Sequence, residues 1–305
     1  MTDRATRLKN TLLSPGVSIA LGLIPAAAML PGNPVAALLS ALVCALMVYN
    51  IKARALFRGP YFPFAAIFMT LQAAVGATWQ ATMPALLFAV VLTGAYLLYQ
   101  RPSDTKTIFV MFLLCGLGAL WERCFMLCGV ALLAVIILLR AFSLRGFVAS
   151  LLGFITPLII FFGFGQLDVF TLYEDYLKPY DLTISPQWML SPAVAVIFAL
   201  AMFLPSYGYP AKQRARNMAM LGLTACACAL PCIDPESHAL LLPLLNLCAA
   251  YNVGHLAATR RFGWIGALLV IIVAVAAKLC NAVWKPLLKV TSPSSRASWR
   301  LRVTP

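Results

Sequence analysis

Charge is what this chain lacks. Only 10% of its 305 residues are Asp, Glu, Lys or Arg, where a soluble domain carries about 25%. Hydrophobic residues make up 62% of the chain, and the mean hydropathy is +0.91. One aqueous core could not bury that much apolar surface, which excludes a water-soluble enzyme. Too few polar stretches exist for intrinsic disorder outside the C-terminal tail. No nucleophile motif, phosphate loop or dinucleotide fingerprint is present. What remains is an all-α, polytopic helical membrane protein.

Basic residues are the one abundant charge, and the net charge is +14. Such an excess can mark a nucleic-acid binder. Here the cations come in twos and threes between apolar runs, with no single patch and no interleaved aromatics. That is how cytoplasmic loops of membrane proteins are marked, so the expected partner is the lipid bilayer and not nucleic acid.

A transmembrane helix needs about 20 mainly apolar residues. The runs that qualify are Thr11–Leu30, Pro34–Asn50, Pro60–Trp79, Pro84–Tyr99, Thr107–Trp121, Cys124–Leu139, Gly146–Gly165, Trp188–Ser206, Asn217–Cys232, His238–His255 and Phe262–Trp284. They are continuously apolar and do not alternate, which argues against strands.

The connecting loops fall into two sets. Every second loop holds cations: Arg4, Arg7 and Lys9; Lys52, Arg54 and Arg58; Arg101 and Lys106; Arg140 and Arg145; Lys212, Arg214 and Arg216; Arg260 and Arg261. The intervening loops hold only Arg123 and Lys178, together with seven of the nine carboxylates. The positive-inside rule then places the N-terminus in the cytoplasm. Eleven spans would put the C-terminus outside, yet the tail carries Lys285, Lys289, Arg296, Arg300 and Arg302. Lys278 and Asn281 interrupt the eleventh run, so ten complete spans with both ends inside is the alternative. Residues 1–284 read as one transmembrane domain and 285–305 as a basic, disordered tail. The start mimics a signal peptide, but Pro34 opens another apolar run almost at once, which fits an uncleaved first span. No period of 20 to 50 residues recurs.

Nine cysteines, Cys226, Cys228 and Cys232 among them, lie in apolar runs. Only two histidines exist, and neither joins a cysteine at ligand spacing. No metal site is expected, and the thiols read as small packing residues. Gly16 with Ala20, Ser18 with Gly22, and Ala73 with Ala77 are small residues four apart that let helices approach. Pro25, Pro157, Pro192, Pro231 and Pro243 can kink spans.

No Asp, Glu or Arg stands mid-span. Intramembrane charges mark proton relays and ion pathways, so a pump or ion channel is disfavoured. The tenth run is the most polar, with Asn246, Tyr251, Asn252 and His255. Asn252 and His255 share a helix face, as do Tyr251 and His255. Interhelical hydrogen bonding and a ligand site are both open readings, with Asn246, Asn252 and His255 as binding candidates.

The outer loops hold the catalytic candidates. Asp168, Glu174, Asp175 and Asp181 share one loop of about 20 residues with Tyr173, Tyr176 and Tyr180, longer than most connections. Asp234, Glu236 and His238 form a second polar group. Carboxylates there could act as general bases, bind a divalent ion or accept sugar hydroxyls, with Tyr173 and Tyr176 as binding residues. The expectation is a short interfacial helix whose acids face a cleft near His238. Glu122 and Arg123 read as an ion pair capping a tight hairpin.

Residues Leu139 to Pro157, with Arg140, Arg145, Gly153 and Pro157, resemble a segment of an uncharacterised multi-span inner-membrane protein family of Bacteroidetes. There a basic turn leads into a span carrying Gly and then Pro. The resemblance covers some 20 residues. It implies a bacterial inner membrane and carries no activity, cofactor or substrate.

Three functions follow. The first is envelope biogenesis on a lipid-linked or glycan substrate at the outer leaflet. Its first outer loop is only Pro31 to Pro34, short for a membrane glycosyltransferase. The second is a transporter or permease for a small neutral or amphiphilic solute, which needs a polar midplane site. The third is a non-catalytic assembly factor. The topology itself is testable with single cysteines at positions 54 and 175 of a cysteine-free variant. An impermeant thiol reagent should reach 175 and spare 54 in intact cells, and the reverse pattern would invert the orientation.

Overall fold

The computed structural model describes residues 32–57, 61–120, 122, 124–164, 187–233, 238–259 and Ile272. Among these, nine helices follow one another: α1 (Pro34–Arg54), α2 (Phe62–Val75), α3 (Trp79–Ala95), α4 (Thr105–Ala119), α5 (Cys124–Leu138), α6 (Leu144–Gly163), α7 (Gln187–Ser206), α8 (Ala211–Ile233) and α9 (His238–Thr259). No strand occurs among the described residues. The chain is thus all-α and polytopic. The nine helices take up the second to tenth apolar runs in order. The first and eleventh runs and the tail lie outside the described residues.

Three stretches are long and apolar enough to cross a membrane: Pro34–Arg54, Leu144–Gly163 and Ala239–Ala258. Five shorter apolar helices accompany them. Apolar side chains also cover the outside of the bundle. Leu38, Val130, Ile159 and Leu200 are each more than 60% exposed. An exterior as apolar as the interior suits lipid and not water.

Helix limits follow local chemistry. The third run ends early because Gly76 adopts a left-handed φ of 65°. Its N–H and that of Ala77 bond back to Ala73 and Gln72 carbonyls, closing α2. Ala73 and Ala77 therefore do not share a helix face. The fourth run begins at Trp79 rather than Pro84, because Thr78 caps α3 by accepting from the Ala81 N–H at 3.2 Å. Asp104 caps α4 through the Thr107 N–H at 3.2 Å, and Ser143 caps α6 through the Gly146 N–H at 3.0 Å. Helix α8 starts at Ala211, six residues before the expected Asn217.

Helix α9 is the hub and packs on α2, α3, α7 and α8. Over its membrane-length stretch 83% of residues are buried, against 22% for α6. Helix α6 packs chiefly on α4. Its buried residues are Gly146, Ser150, Gly153 and Pro157, a stripe of small or compact residues at helical spacing. A Cβ on Gly153 would overlap the Phe109 carbonyl oxygen, and one on Gly116 the Phe154 carbonyl oxygen. The two backbones touch, which only glycine permits.

One end of the bundle gathers the basic loops. Gln100 N–H bonds to Leu139 O at 3.5 Å, and Ser143 Oγ donates to Pro102 O at 2.9 Å. Gln213 Nε2 donates to Leu56 O at 2.6 Å. Arg216, expected in a loop, sits in the second turn of α8 and is only 7% exposed. Its guanidinium donates to Arg54 O at 2.7 Å and Tyr96 O at 3.0 Å. Those carbonyls terminate α1 and α3, where helical partners run out.

Two consequences follow. Gly153→Val should destabilise the protein by about 2 kcal/mol through overpacking, while Gly163→Ala, with nothing within 4 Å of the new atom, stays within about 0.5 kcal/mol. Arg216→Met should cost roughly 2–3 kcal/mol, because two carbonyls lose a charged donor. Thermal unfolding of the purified protein reads both. A neutral Gly153→Val would mean that α4 and α6 are not in backbone contact.

Candidate functional site

A helix buried on every side must find internal partners for each polar group it carries. Helix α9 carries four such residues between Asn246 and His255, a rise of about 14 Å. All four are fully buried, and their hydrogen bonds reach α2, α7 and α8.

At the first level, Asn246 accepts from Ser191 of α7 and donates to Gln72 Oε1 of α2 at 3.4 Å. Further along, Asn252 Nδ2 donates to Thr224 Oγ1 of α8 at 3.2 Å and Ala195 O of α7 at 3.3 Å. Near the basic end, Tyr251 donates its hydroxyl to Asn217 Oδ1 of α8 at 2.7 Å. The Asn217 amide nitrogen lies 3.0 Å from His255 Nε2. With Oδ1 taken by the tyrosine, Asn217 Nδ2 is the donor and His255 Nε2 the acceptor. The neutral imidazole then carries its proton on Nδ1.

His255 is walled by rings. Phe57 meets it edge-on at 5.6 Å, Tyr209 at 5.3 Å, and Tyr251 lies nearly parallel at 6.2 Å. Burial holds the Tyr209 phenol above its ordinary range, so that hydroxyl stays protonated. Three polar atoms of this seam are buried without a hydrogen-bond partner: Gln72 Nε2, Asn252 Oδ1 and His255 Nδ1. Each is a free donor or acceptor in a low-dielectric interior, and such groups call for an explanation. A guest that offers and accepts hydrogen bonds would satisfy them one after another along the helix.

Asn246, Asn252 and His255 thus come together as an interhelical network. Gln72, Ser191, Asn217 and Thr224 belong to it and escaped the sequence reading. Their signal was weak: isolated polar residues scattered over three runs. Asp168, Glu174, Asp175, Asp181, Tyr173, Tyr176, Asp234 and Glu236 lie outside the described residues, as do Arg123 and the expected interfacial helix. His238 is the first residue of α9. Cys44, Cys115, Cys124, Cys128 and Cys248 are buried, and Cys226 and Cys228 half-buried.

No family model, curated protein or solved structure matches this chain.

The Asn217–Tyr251 bond offers a direct measure of the network. Asn217→Leu and Tyr251→Phe should each destabilise the protein, and the double variant less than additively, by about 1 kcal/mol. Additive losses in thermal unfolding would mean that the two side chains are not coupled.

Proposed function

We propose that the chain is a multi-pass protein of a bacterial cytoplasmic membrane that conducts a small neutral or amphiphilic solute along the seam around α9. The observation that carries this reading is the set of buried, unpartnered polar atoms, Gln72 Nε2, Asn252 Oδ1 and His255 Nδ1. They stand among amides, hydroxyls and one imidazole drawn from α2, α7, α8 and α9. Such a lining can exchange hydrogen bonds with a hydroxylated or amide-bearing solute and offers no counter-charge to an ion. The positive-inside rule supports the basic end as the cytoplasmic one.

Stopped-flow light scattering on proteoliposomes tests the reading with glycerol, erythritol and a hexose. The protein should speed entry of at least one solute above empty liposomes. Asn252→Leu and Gln72→Leu should slow it about tenfold, the equivalent of one lost hydrogen bond of roughly 1.4 kcal/mol. Entry no faster than in empty liposomes, or variants as fast as the parent, would overturn it. The lead would then pass to envelope chemistry by the carboxylates between 168 and 181 and at 234 and 236.

A further inference from the structure

The basic end holds a cavity of about 420 Å³ that the seam does not use. Its walls are the last turn of α5, the residues before α8 and the first two turns of α8. Two arginines line it, Arg140 and Arg214, beside Tyr207 and the apolar residues Ile137, Leu138 and Met218. No carboxylate lines it. Among the described residues the carboxylate at this end is Asp104, which is engaged with Thr107. Two like charges facing one cavity repel each other unless an anion lies between them. The positive end of the α8 dipole adds to the same field.

The backbone fixes this arrangement. Arg140 occupies the left-handed cap position after α5, at φ 57°, where glycine is the usual choice. Its N–H bonds to Ile137 O at 2.9 Å, and Ala141 N–H bonds to Ile136 O at 3.1 Å. Leu138 is seated against Gly222 of α8. The ring of Tyr207 packs edge-on against Phe203 at 5.3 Å.

We propose that this cavity holds the headgroup of an anionic phospholipid from the leaflet at the basic end. The apolar surroundings select a lipid over a free anion. Ile137 is 51% exposed and Val130, seven residues earlier on the same face of α5, is 62% exposed. Together they make an apolar track about 10 Å long leading away from the cations. A headgroup phosphate between Arg140 and Arg214 would leave its acyl chain lying along that track. Basic pockets at helix ends on the cytoplasmic side bind acidic lipid headgroups in this manner.

The test is lipid retention by the purified full chain, read by native mass spectrometry after exchange against vesicles of phosphatidylglycerol or phosphatidylcholine. The parent protein should keep phosphatidylglycerol in preference. Arg140→Gly and Arg214→Gln should each weaken retention roughly fivefold, and the pair roughly 25-fold. Arg140→Gly keeps the cap, because glycine favours the φ found there, so its melting temperature should hold or rise while retention falls. Lys212→Gln, an exposed cation beside the cavity, should change retention by less than about twofold. Equal retention by the double variant would overturn the proposal. So would displacement of the lipid by inorganic phosphate at matched concentration, since that would assign the cavity to a soluble anion.

Discussion

The enclosure of α9 is the constraint on which the other elements depend. A helix surrounded by α2, α3, α7 and α8 has no solvent or headgroup region to receive its amides, hydroxyls and imidazole. Each residue finds a side chain or carbonyl of α2, α7 or α8, and that requirement fixes the rotation and height of these three neighbours at once. Asn246 sets α2 and α7 through Gln72 and Ser191. Asn252 sets α7 and α8 through Ala195 O and Thr224. Packing alone specifies less, since lipid tails are as apolar as leucine and supply no hydrophobic drive between helices. Helix α6 shows the contrast. It is held by backbone contact along a glycine-bearing stripe and leaves most of its surface to lipid.

A second constraint acts where the helices end. Helices α1, α3 and α5 all terminate at the basic end, and their carbonyls carry partial negative charge there. Cations in the last turn of α1, Lys52 and Arg54, are favourable for that reason as well as for topology. Arg216 goes further, because it comes from α8 and grips the terminal carbonyls of both α1 and α3. Burying a guanidinium is tolerable when its hydrogen bonds are met by convergent carbonyls. The same end places Ala55, Gln100 and Arg140 in left-handed conformations without glycine. Tight reversals there are held by the packing around them and not by intrinsic preference.

The class and order of elements were legible in the sequence because lipid imposes a coarse rule: long apolar runs separated by polar loops. Each described helix falls on its expected run. Boundaries were less legible where a cap outweighed hydropathy, as at Thr78 and Gly76, and where a basic segment was helical, as from Ala211 to Asn217. Arg216 read as one more loop cation because charge is a signal of position only until a specific acceptor buries it. The candidate site was half legible. Asn246, Asn252 and His255 stood out as a cluster in one run, whereas Gln72, Ser191, Asn217 and Thr224 were scattered over three others. Their convergence is a property of packing across 28 to 174 residues of sequence separation, which no local pattern encodes.

The chemistry of the seam limits what it can accommodate. Its described members are amides, hydroxyls and one neutral imidazole, and the nearest cation, Arg216, is committed to two carbonyls. A carboxylate or ammonium entering beside Asn252 would lose its hydration and meet no opposite charge, a loss of several kcal/mol. A hydroxyl or amide would exchange water for Asn252 Oδ1, Gln72 Nε2 or His255 Nδ1 at little net change. Charge is instead concentrated at the basic end, where Arg140 and Arg214 line the cavity. Helix α8 serves both regions from different faces. Asn217 and Thr224 turn toward α9, and Arg214 and Met218 toward the cavity. The bundle thus separates neutral hydrogen bonding inside from cationic attraction at its rim, and one helix carries the division.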